Sequence, residues 1–228
     1  MRNTDVNIQA IKKIARALDE LHDRVVYVGG AVVSLYVNDP GADDVRPTKD
    51  VDIGLEISSL IELEELRQNL TSKGFIQTAE DDVRCRFRYE DIKVDVMTTE
   101  EIDWAQTNEW FKPGFKHLDE TTIEDVHIKI LSLSYFLASK FSAFHDRGGH
   151  DPRTSHDFED IIYILDNRDN LAETVLKSPD DVKHYLKSEF SAILENSELQ
   201  EAVLGNLSYD IRKERFNMII KKLHEIVK

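Results

Sequence analysis

Asp50 and Asp52, in Lys49-Asp50-Val51-Asp52-Ile53-Gly54, and Asp95, in Lys93-Val94-Asp95-Val96-Met97, are the side chains whose types and spacing could do chemistry. Along a strand, side chains alternate faces. Asp50 and Asp52 therefore share one face, with Val51, Ile53 and Leu55 on the other. Ile92, Val94 and Val96 likewise leave Asp95 on the face opposite their own. Carboxylates held close together repel, and a divalent ion such as Mg²⁺ or Mn²⁺ relieves that repulsion. Two ions about 3.5–4 Å apart can activate a hydroxyl and steady a leaving phosphate. Asp50 and Asp52 would hold one and Asp95 would complete the second. The plain alternative is three solvent-facing strand residues, although aspartate is depleted in strands.

Two further groups suit the same chemistry. Gly29-Gly30 follows the apolar run Val25-Val26-Tyr27-Val28, and a glycine turn between strand and helix lets backbone amides approach a phosphate. The further spaced glycine of a dinucleotide fingerprint is missing, and no Gly-Lys-Ser/Thr phosphate loop occurs. Lys140 falls within a helical stripe of Leu133, Phe136, Leu137, Phe141 and Phe144. A buried ammonium needs a counter-charge. A nucleoside triphosphate would serve, as would a protein carboxylate, unless the lysine snorkels past the rings. Asp157 and Asp160, one helical turn apart, either orient Lys140 or Arg147 or simply complement a helix N-terminus.

Other residues carry less. His145, His150 and His156 lack a zinc spacing, and Cys85 reads as a small packing residue. Arg84, Arg86 and Arg88 share one strand face, to grip an anion or to guard a solvated edge. Arg212, Lys213, Arg215, Lys221 and Lys222 read as the outer face of a C-terminal helix bearing Phe216, Ile219, Ile220 and Leu223.

The elements that must position these groups follow from periodicity. Spacing predicts an opening helix through Val6 to Leu21, a strand over 24–28 and a short helix over 31–36. A loop over 38–49 leads to a strand over 50–57. A helix capped by Ser58 or Ser59 and stopped at Gly74 comes next. The segments 84–89 and 92–97 read as a hairpin turning at Glu90-Asp91. Residues 98–120 read as a connection, 127–131 as an edge strand, and the rest as helices broken by Gly148-Gly149-His150-Asp151-Pro152.

Composition sets the frame. The 228 residues are 41% hydrophobic and carry a net charge of −15, so general attraction to phosphate backbones is weak. The longest apolar run is too short to span a bilayer, the N-terminus lacks a secretory pattern, and a single cysteine excludes an internal disulfide. A cytoplasmic protein with no membrane partner is expected.

From about Val25 to Leu165 the chain resembles the DNA polymerase β-like nucleotidyltransferases, and within them the AbiEii/AbiGii-type toxins. The resemblance rests on Gly29-Gly30, Asp50-x-Asp52, Asp95, Lys140, Arg147 and Asp157-Phe158-Glu159-Asp160. Two positions depart: the branch usually has Gly-Ser where this chain has Gly29-Gly30, and His156 replaces a lysine.

The resemblance implies an α+β nucleotidyltransferase fold, a small mixed β-sheet flanked by helices, with a C-terminal helical domain. Residues 1–120 would be catalytic, and 121–228 would be mostly helical and complete the nucleotide site. The reaction would move a nucleoside monophosphate from an NTP to an acceptor hydroxyl. Asp50, Asp52 and Asp95 would bind metal, Lys140 and Arg147 would neutralise phosphates, and Gly29, Gly30 and Thr48 would contact nucleotide. The acceptor would be a tRNA or a protein, and a cognate antitoxin a partner. Two other readings are a small-molecule nucleotidyltransferase of the aminoglycoside-modifying type and a non-catalytic antitoxin-like module.

Overall fold

A computed structural model describes residues 1–78, 81, 85–147 and 151–228 of the chain. Arg84, Gly148, Gly149 and His150 lie outside the described residues. The chain forms two compact units, one from Met1–Ser34 and Asp44–Ser132, the other from Leu35–Asp43 and Leu133–Lys228.

In the first unit, α1 (Asn3–Leu18) buries Ile11, Ile14, Ala15 and Leu18, a helical spacing that turns one stripe to the core. A 3₁₀ turn then leads into β1 (Val26–Val28). After a second 3₁₀ segment, Gly30–Tyr36, come β2 (Asp50–Leu55) and α2 (Leu60–Ser72). The Ser59 hydroxyl caps α2 by accepting from the Glu62 amide at 3.3 Å, and Gly74, at φ 89°, ends the turn beyond it. There follow β3 (Arg86–Tyr89), β4 (Ile92–Thr98), β5 (Gln106–Thr107), α3 (Phe111–Gly114), β6 (Leu118–Ile123) and β7 (Val126–Leu131).

The strands form one mixed sheet in the order β3-β4-β2-β1-β7-β6, with β5 pairing β4. β2 runs parallel to β4, and α2 lies in the crossover that parallel pairing requires. β3 and β4 form the expected hairpin, and Glu90 takes φ 52° in its turn.

The edge falls elsewhere than expected. Residues 126–131 sit inside the sheet, between β1 and β6. The outer strand is Leu118–Ile123, which the sequence presents as part of a connection. Its run Leu-Asp-Glu-Thr-Thr-Ile buries only Ile123, so its apolar alternation is too thin to signal a strand.

The second unit is helical: α4 (Leu133–Asp146), α5 (His156–Asn167), α6 (Leu171–Leu176), α7 (Asp180–Glu195), α8 (Ser197–Gly205) and α9 (Arg212–Val227). The mostly apolar α4 packs against α5, α6 and α7, burying Phe136, Leu137, Ala138 and Phe141. The leucine and phenylalanine side chains contribute about 1.5–3 kcal/mol each when fully buried.

Ring stacking, hydrogen bonds and an ion pair join residues 35–43 to this unit. Tyr36 stacks on Phe136 at 4.2 Å, the Asn38 amide donates to the Asn167 carbonyl, and Arg215 binds Asp39 at 2.9 Å. Arg215 and Lys222 therefore face inward, unlike the solvated face expected of them. The Lys222 ammonium donates to the carbonyls of Leu165, Asp166 and Arg168, closing the C-terminus of α5.

Candidate active site

The candidate centre lies on one face of the first unit's sheet. Val51, Ile53 and Leu55 are buried, so the pleat leaves Asp50 and Asp52 together on the opposite face. Val94 and Val96 are buried in the same way and leave Asp95 on that face too. The parallel register sets Asp52 directly beside Asp95, and Asp50 beside Lys93. On the other flank Asp52 is opposite Val28, and on the far side of β4 Asp95 is opposite Arg86. Val28, Asp52, Asp95 and Arg86 thus form one lateral row across four strands.

Glycine is required where this row meets the turn. Gly29 has φ 72°, a conformation that L side chains rarely adopt, and a methyl group there would fall on the Asp52 carboxylate. At Gly30 a methyl group would meet the Arg46 guanidinium and the Thr48 methyl. The Thr48 hydroxyl donates to the Asn7 side chain at 2.9 Å, tying the strand entry to α1. Gly54, next on the acidic face, leaves room for the ring of Phe115.

Arg86 binds the acids. Its guanidinium donates two bonds to Asp95, at 2.7 and 2.6 Å, and lies 3.6 Å from an oxygen of Asp50. Parallel fork-to-carboxylate bonds of this kind are among the stronger polar contacts. The contact with Asp95 raises the Arg86 pKa, so the group stays charged.

The structure brings a second set together in the helical unit. Lys140 donates to Asp157 at 3.1 Å and to Asp160 at 2.6 Å, and Arg147 binds the other oxygen of Asp157 at 2.8 Å. Lys140, Asp157 and Asp160 are only 6%, 4% and 2% exposed. Burial works against the lysine's charge, but Asp160 and Asp157 outweigh it and hold its pKa above the ordinary value. Arg147, with its side chain 70% exposed, reaches solvent from the same group.

Asp50, Asp52 and Asp95 offer an all-oxygen donor set on adjacent strands, the donor chemistry that a divalent ion such as Mg²⁺ takes. A guanidinium already stands as the cation between two of the three. Among the described residues, no three acidic, histidine or cysteine side chains form a closed metal cage. Asp95 has both its oxygens turned to Arg86 instead.

Sequence reasoning left Arg86 undecided between gripping an anion and guarding an edge. The signal was present: with a two-residue turn at Glu90-Asp91, counting back along the hairpin puts Arg86 opposite Asp95.

The fold is that of a nucleotidyltransferase. The structure is similar to the crystal structure of an antigenic nucleotidyltransferase-like protein from Paracoccidioides brasiliensis. The two share 16% identity at a TM-score of 0.51, over 92% of this chain and 97% of that one. No curated protein matches the sequence. Residues 14–225 match the family described as "Nucleotidyl transferase AbiEii toxin, Type IV TA system", and the chain belongs to that family. It is therefore a toxin-type nucleotidyltransferase, an enzyme whose family implies an NTP substrate and typically a divalent metal. No described helix is long and apolar enough to cross a membrane.

Proposed function

We propose that this protein transfers a nucleoside monophosphate from an NTP to an acceptor hydroxyl, with release of pyrophosphate and with Mg²⁺ or Mn²⁺ as the metal. The reading rests on one observation: the register that places Asp52 beside Asp95, with Gly29 against the Asp52 carboxylate. Asp50, Asp52 and Asp95 would hold the metal. When bound, it supplies positive charge at the triphosphate and makes a nearby hydroxyl more acidic.

The chain's own groups do the rest. The Gly29-Gly30 turn offers backbone amides to the phosphates. Asp95 positions the acceptor hydroxyl and takes up its proton. Within the helical unit, Asp157 and Asp160 hold Lys140 and Arg147 as a fixed group of charge. Thr48 secures the entry to β2 through Asn7. The acceptor is a tRNA or a protein, the partner is a cognate antitoxin, and the setting is the cytoplasm.

The test is label transfer. The full chain is incubated with each α-phosphate-labelled NTP and Mg²⁺ or Mn²⁺, against tRNA, cell protein and aminoglycosides in parallel. Label on tRNA or protein with wild type, and none with Asp52→Asn, is the expected result. Label on aminoglycosides alone would move the reading to a small-molecule enzyme. No transfer to anything, or equal transfer by the variant, would remove the catalytic reading.

A further inference from the structure

We propose that Arg86 is a resident counter-cation that holds the acidic row and must be displaced before a divalent ion enters. The inference rests on the metal-site reading above and adds to it a competitor built into the neighbouring strand.

Three observations carry it. First, the hairpin register fixes Arg86 opposite Asp95, so the contact is set by backbone pairing as well as by side-chain choice. Second, the guanidinium engages both Asp95 oxygens and also approaches Asp50, so it touches acids from two strands where a shared cation would sit. Its side chain is 17% exposed and that of Asp95 15%, so water screens the pair only in part. Third, the described acids do not close into a cage, as expected while Arg86 turns Asp95 toward β3.

The displaced guanidinium has somewhere to go. Arg86 also lines a cleft of about 380 Å³ in the same unit, with Glu64, Arg67, Gln77, Thr78, Asp81 and Trp104. Glu64 and Asp81 supply negative charge there, although each already binds an arginine, Arg67 and Arg88 respectively. A swing of the side chain from Asp95 into this cleft keeps the guanidinium beside carboxylates. A monovalent cation that leaves for a divalent one raises the charge at the row. Arg86 therefore sets a threshold: metal alone binds weakly, and metal carried by a nucleotide binds better. Arg86 acts through Asp95 and is a positioning residue.

Mn²⁺ binding to the full chain without nucleotide, followed by electron paramagnetic resonance, tests this directly. Arg86→Gln is expected to bind Mn²⁺ about tenfold more tightly than wild type, the scale of one charge-assisted contact removed. Arg86→Lys keeps the charge without the fork and is expected to fall between the two. Circular dichroism on each variant checks that the sheet survives, and Arg86→Met serves as a second neutral variant should Arg86→Gln fail to fold. Equal or weaker Mn²⁺ binding in folded neutral variants overturns the proposal. Asp52→Asn separates the two ideas. If it abolishes binding that Arg86→Gln leaves unchanged, the metal site stands and the competitor role falls. If neither wild type nor any variant binds Mn²⁺, both fall.

Discussion

Gly29 lies against the carboxylate of Asp52, with no space between them for even a methyl group. The turn after β1 and the acid on β2 are therefore one structural decision. Gly29→Ala should cost about 1–3 kcal/mol of stability from its positive φ alone. The added methyl should also push Asp52 out of the row. Urea unfolding and Mn²⁺ titration check the two effects separately. An alanine variant that binds metal as wild type does would mean that the glycine does not hold Asp52 in place.

Lys140 should matter to folding before it matters to chemistry. Lys140→Met leaves Asp157 and Asp160 buried with one cation fewer, and breaking such a group costs about 3–5 kcal/mol. Adding Asp160→Asn to that variant should recover part of the loss. Urea midpoints of the single and double variants decide it. A loss of transfer activity with an unchanged midpoint would instead point to direct phosphate contact.

The Arg88–Asp81 pair predicts a pH dependence. Hydrogen bonds from Arg88, at 2.7 and 2.8 Å, hold the Asp81 carboxyl at about 2, below its ordinary 3.8. The folded-state value lies below the unfolded one. The pair therefore stabilises the fold above the ordinary value and loses that effect as pH falls toward 2. Asp81→Asn should lower the urea midpoint near about pH 7 and change it little near about pH 2. A gap of constant size across that range would contradict the assignment.

Cys85 should be inert. Burial, with the nearby Asp95 charge, pushes its thiol up to about 11. Alkylation at about pH 8 should be slow in the native protein, quick after denaturation, and faster in the native state as pH rises. Rapid native labelling would mean that β3 opens readily.

The candidate site was legible where its logic is local. Asp50 and Asp52 share a face because a strand repeats every two residues, and Val51 and Ile53 declare which face is inward. Lys140 stood out because a cation interrupts an apolar helical stripe. The outer strand Leu118–Ile123 did not stand out, because an edge strand with one solvated face carries little apolar pattern. Arg215 and Lys222 were misplaced for a related reason. Helical periodicity gives a face to each side chain but cannot see that the side chains of Asp39 and Asn167 await Arg215, or that the carbonyls ending α5 await Lys222.

By itself, then, the sequence determined the acids, their facing on each strand, the glycine turn and the two-residue hairpin, all matters of short-range periodicity and backbone freedom. Only the tertiary structure decided that β2 and β4 are neighbours in parallel register, that Arg86 approaches Asp50 as well as its hairpin partner Asp95, and that of the two readings of Asp157 and Asp160 the pairing with Lys140 holds. Those outcomes depend on contacts between separate elements. Side-chain patterns within one segment carry no record of which other segment will pack against it.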